Sequence, residues 1–121
     1  MPSLLCLVVD RAPYGSIEPA EAIRHAGGAL GKRWDVVLGF MGDGVYTALA
    51  SQAPTGGEWI ALSAAVSELI ERGGARARVL VEGPALDARG LSAGDLITGA
   101  RAVSREDIAR AMVACDRTLL F

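Results

Sequence analysis

Two cysteines, one histidine and three glycine-bearing loops carry the chemistry open to this 121-residue chain. A thiolate is a nucleophile, an imidazole a general base, and the N–H groups of a glycine-rich helix start can hold an anion. Cys6 lies inside the apolar run Leu4-Leu5-Cys6-Leu7-Val8-Val9 and reads as a small buried hydrophobe. Cys115 shares a helical stripe with Ile108 and Met112, which favours structural burial over a reactive thiolate. It is nevertheless the only cysteine with a case for catalysis. His25 stands four residues after Glu21 and reads as a solvent-side ion pair rather than a general base. A single histidine and the absence of a CxxC pair argue against a structural metal. Gly42-Asp43-Gly44 followed by Thr47 lacks the third glycine of a dinucleotide fingerprint, and no acidic residue closes the next strand, so no nucleotide cofactor is expected.

The elements that must position these residues follow from periodicity. Leu4–Val9 is an apolar run suited to a strand buried on both faces. Further strands are expected at 35–41, 78–82, 100–103 and 118–121. Ser16 as a cap, or Glu18-Pro19 at a first turn, opens a helix to about Lys32. Its stripe would be Ile17, Ala20, Ile23, Gly27 and Leu30. A short helix is expected over Val45–Gln52 with Asp43 as its cap. A flexible stretch at 53–57 and a helix from Glu58 to Arg72, stopped by Gly73-Gly74, come next. Ala85–Arg89 forms a helical turn closed by Gly90. Ser104 with Asp107 makes a near capping box, Val103 and Ile108 a staple across it, for a helix to Ala114.

Strands alternating with helices define a single three-layer α/β domain over residues 1–121. Its five-stranded, mainly parallel sheet is flavodoxin- or Rossmann-like. Ligands of such sheets bind at the carboxyl ends of the strands. Three loops fall on that rim: Pro13-Tyr14-Gly15-Ser16, Gly42-Asp43-Gly44 and Glu82-Gly83-Pro84. Tyr14 reads as a loop anchor or interface residue before a catalytic phenol, and Asp43 as a cap before an acid. Asp10 pairs with Arg11 or caps a loop. Cys115, closing the last helix, falls near the amino ends of the strands, away from the rim.

Composition excludes several classes. Hydrophobic residues are 51% and charged residues 21%, which rules out intrinsic disorder. A net charge of -2 and the lack of a basic cluster argue against nucleic acid as the main partner. No apolar run reaches membrane-spanning length and no signal-peptide pattern opens the chain, so a soluble cytoplasmic protein is expected.

Ala12-Pro13-Tyr14-Gly15-Ser16 after the first strand and Gly42-Asp43-Gly44-Val45 after the second resemble the DsrE/DsrF-like sulfur-relay family, nearest the DsrF/TusC type. Leu86-Asp87-Ala88-Arg89-Gly90-Leu91 and the ending Asp116-Arg117-Thr118-Leu119-Leu120-Phe121 are similar to that family's later turn and closing strand. The resemblance implies a five-stranded parallel sheet, trimers or hexamers, sometimes with sister subunits, and passage of persulfide sulfur between proteins. Catalytic members hold the sulfur on a cysteine just after the third strand. Aligned on Arg89-Gly90-Leu91, that position is Glu82 or Gly83 here, and neither Cys6 nor Cys115 matches it. A carboxylate there would repel an incoming persulfide. The expected role is a non-catalytic partner or scaffold subunit, self-associating or bound to sister subunits. The alternative is a small-molecule or anion-binding module, with the helix starts at Ser16 and Asp43 and the Tyr14 ring forming the pocket.

Overall fold

The structure, a computed structural model, describes residues 3–53 and 61–121. Five strands form one sheet: β1 (Leu4–Val9), β2 (Asp35–Phe40), β3 (Ala77–Glu82), β4 (Ala100–Val103) and β5 (Arg117–Leu120). Their order is β4-β3-β2-β1-β5, and every pairing is parallel. The chain therefore steps across the sheet from β1 to β4 and then returns over it to place β5 on the free side of β1. The helices are α1 (Glu18–Gly31), α2 (Leu62–Gly73), α3 (Gly83–Ala88) and α4 (Arg105–Ala114).

Alternation along the strands assigns each face its cover. Leu5, Leu7, Val9, Val36, Leu38, Phe40, Val79 and Val81 pack with α1, α2 and α3 in the larger core. Cys6, Val8, Val37 and Leu80 pack on the opposite face beneath Ile108 and Ala111 of α4. Both faces of the inner strands are thus buried, which is why they read as continuous apolar runs.

Several expected details change. The buried stripe of α1 is Pro19, Ala22, Ile23, Ala26 and Leu30. Ile17 is the residue preceding the helix and stays 65% exposed, and Ala20 and Gly27 are only half-buried. The helix begins at Glu18, so its contact face is set one position away from the expected stripe. The short helix after β2 is a 3-10 segment, Gly42–Ala48, whose first turn receives no side-chain cap. Asp43 therefore does not cap it. Of the stretch at 53–57 expected to be flexible, residues 54–57 lie outside the described residues, as do the expected helical residues 58–60, and α2 begins at Leu62. Gly74 supplies the positive φ (54°) that ends α2. Ser104 and Asp107 form a complete capping box on α4, with Val103 and Ile108 in the same core. Among the described residues no helix is long and apolar enough to cross a membrane.

Candidate functional site at the carboxyl ends of the strands

The rim is assembled around Glu82, the last residue of β3. Its place in the strand turns its side chain toward the face that α4 covers, and it is only 8% exposed. A buried carboxylate needs partners, and both oxygens have them. Oε1 accepts the Gly42 N–H at 2.9 Å, and Oε2 pairs with Arg105 Nε at 3.2 Å. Arg105 is the first residue of α4, so Glu82 ties the loop after β2 to the start of that helix. Gly83 follows as the first residue of α3. A Cβ at Gly83 would stand 3.3 Å from the Val103 carbonyl oxygen, a tight contact against β4.

The Gly42-Asp43-Gly44 loop is held from three sides. Met41 N–H donates to Val9 O at 2.9 Å, joining the ends of β1 and β2. Gly44 lies directly on the end of β1: a Cβ there would fall 2.2 Å from Val9 O. That approach requires glycine. Asp43 Oδ1 accepts from Arg89 Nε (3.1 Å) and Nη2 (2.7 Å), so the arginine after α3 clamps the loop. The same arginine donates to Ala85 O at 3.0 Å. Asp43 is thus a tie between two turns rather than a cap.

The first loop is fastened by Tyr14. This residue sits at φ 67°, a left-handed conformation rare for a non-glycine residue. Its hydroxyl donates to Gln52 Oε1 and accepts the Leu62 N–H at 2.9 Å. Gln52 Oε1 also accepts the Ser63 N–H at 3.3 Å. Two side chains from elsewhere in the sequence thereby satisfy the first N–H groups of α2, whose own preceding residue, Ala61, has no side chain able to do so. These bonds tie the Tyr14 loop to the start of α2. Gly15 continues the loop, and Ser16 Oγ accepts the Glu18 N–H at 3.1 Å across the start of α1.

His25 does not pair with the Glu21 carboxylate. That group binds Arg24 Nη2 at 2.7 Å, the guanidinium holding the carboxyl below its usual range. His25 Nδ1 lies 2.8 Å from the Glu21 backbone oxygen, and the ring rests 5.5 Å from the Phe121 ring. Asp10 and Arg11 do pair, at 3.7 Å and largely in solvent. Cys6 is fully buried in mid-strand. Cys115 follows α4, with its neighbour Asp116 accepting and donating across to Leu4 near the amino end of β1. The rim formed by these three loops thus contains a buried carboxylate, two arginines and a tyrosine, but no thiol. Sequence reasoning places the three loops together and does not foresee Arg89 or Arg105. An arginine just beyond a short helical turn gives no signal of the loop it will reach.

A three-layer domain with an all-parallel sheet, whose third strand delivers its last side chain to a glycine loop at the rim, defines the class. The chain belongs to the DsrE/DsrF-like family, whose model matches residues 4–121, and family membership points to sulfur relay at that broad level. It is 32% identical over 115 residues to an uncharacterized protein of Methanocaldococcus jannaschii, covering 95% of this chain and 96% of that one. It is 30% identical over 118 residues to an uncharacterized protein of Methanopyrus kandleri, covering 98% and 93%. Among solved structures it is similar to the YchN protein from E. coli, with a TM-score of 0.81, 26% identity and complete coverage of both chains.

Proposed function

We propose that this protein, a member of the DsrF/TusC type, serves persulfide transfer as a cytoplasmic non-catalytic partner or scaffold subunit, assembled with copies of itself or with sister subunits. The observation that carries the reading is Glu82. The resemblance aligns the sulfur-accepting cysteine of catalytic members with Glu82 or Gly83, and here the carboxylate is engaged by Gly42 and Arg105. A persulfide relay needs a nucleophilic sulfur. A carboxylate supplies none, and its charge opposes an approaching persulfide anion. Apolar side chains left in solvent, among them Val113 (87% exposed) and Leu120 (74%), support assembly.

The test is exposure of the folded protein to a persulfide donor, read by intact mass. The wild-type chain is expected to gain no sulfur atom. Glu82→Cys places a thiol at the rim and is expected to become one sulfur atom heavier. A wild-type species carrying the extra sulfur overturns the non-catalytic reading.

A further inference from the structure

We propose that the strip between α4 and the outer strand β4 docks an extended, acidic segment of a partner protein. The inference concerns the face of the sheet opposite α1 and α2, and it does not depend on the role proposed for the rim. Register and alternation put three arginines on this strip. Arg78 stands two residues before Leu80 on β3, and Leu80 lies opposite Arg101 on β4. Leu80 packs in the core beneath α4, so Arg78 and Arg101 project to that same side. Arg110 comes to them from α4, one position before the buried Ala111. Together they line a groove of about 400 Å³, with Leu80, Val103 and Ala111 as its apolar lining.

The charge of this groove is not balanced from within. Its one carboxylate, Asp107, is committed: Oδ2 accepts the Ser104 N–H at 3.3 Å in the α4 capping box, and Oδ1 pairs with Arg110 at 2.9 Å. Arg24, Arg76, Arg89 and Arg105 each hold a carboxylate at 3.2 Å or less. Arg78 and Arg101 are exposed, and neither guanidinium has an ion pair or a hydrogen-bonded acceptor among the described residues. The backbone beside the groove is open as well. Among the described residues β4 pairs with β3 alone, so its outer row of N–H and C=O groups is available. A segment added there extends the sheet by one strand, and every second side chain of it turns toward the α4 face. Carboxylates at those positions meet guanidiniums whose planar fork matches them. A nucleic acid fits less well, because a chain of net charge -2 repels a polyanion over the rest of its surface.

The probe is a fluorescein-labelled peptide of alternating Glu and Thr, read by anisotropy on the folded chain, with a Lys-Thr peptide of equal length as its counterpart. The acidic peptide is expected to bind, to bind more tightly than the basic one, and to weaken as salt rises. Arg78→Ala with Arg101→Ala is expected to weaken it about tenfold, as loss of two charge pairs at one site implies. Arg24→Ala with Lys32→Ala removes the same charge from the α1 side and is expected to leave binding unchanged. A Glu-Pro peptide carries the same charge but cannot add to a strand edge, and is expected to bind more weakly than Glu-Thr. All four substituted residues are exposed, and circular dichroism checks that each variant keeps the fold. The proposal is overturned if the acidic peptide does not bind, if the basic peptide binds as well, if the Arg78 and Arg101 substitutions have no effect, or if the Glu-Pro peptide binds equally. Self-association of the wild-type chain that the same two substitutions abolish assigns the strip to a second copy and also overturns it.

Discussion

Burial raises the Cys6 thiol from 9.0 to about 12, which ties the stability of the fold to alkaline pH through one side chain. Below pH 9 folded and unfolded chains both keep the proton. Between about 9 and 12 only the unfolded chain loses it, so stability falls as pH rises through this window. The slope expected is about 1.4 kcal/mol per pH unit from this group. Chemical denaturation across that range should show it in wild type and a shallower decline in Cys6→Ala. An unchanged slope in the variant contradicts the burial argument. The burial itself is legible in the apolar run around Cys6. Each cysteine can be placed separately, one by its run and one by the direction of its helix. The placement of β5 on the free side of β1 is encoded by no local pattern. Glu82 is legible only as a departure from a family's pattern; its two partners emerge from the loop and helix that converge on it.

Among the elements, α2 depends on residues far from itself. Tyr14 Oη and Gln52 Oε1 accept its leading N–H groups. Tyr14→Phe removes one acceptor and the donor to Gln52, and is expected to cost about 1 kcal/mol, in line with loss of a helix cap. Urea denaturation measures this, and a midpoint equal to that of wild type contradicts the capping role. The boundaries of β1 and α4 lie close to those read from the sequence because an apolar run and a capping box mark them, while β4 falls at 100–103 where a weaker pattern placed it. The segment after β2 departs from the expected helix. Gly42 at positive φ and Gly44, packed where a Cβ would meet Val9 O, lie in a 3-10 turn from which Asp43 reaches Arg89. The α1 stripe shifts for a simpler reason: Ile17, an apolar residue just before the helix start, mimics a member of its buried face.

At the scale of the whole molecule, one face of the five-stranded sheet is covered, among the described residues, by the ten-residue α4, and Val113 and Leu120 are the most exposed of the large hydrophobic side chains described. If assembly buries them, Val113→Asp with Leu120→Asp is expected to shift the sedimenting species from an oligomer to a monomer with the fold intact by circular dichroism. A wild-type protein that sediments as a monomer at micromolar concentration contradicts the proposed assembly. The architecture itself is legible because strand and helix periods alternate, and parallel connections allow few arrangements. The strand order has a consequence for how the protein is made. β1 leaves the ribosome well before the strand that closes its outer side, Arg117–Leu120, which is synthesised more than a hundred residues later. Throughout that interval an apolar strand keeps one row of backbone N–H and C=O groups open, so the nascent chain is most exposed to misassociation just before synthesis reaches β5.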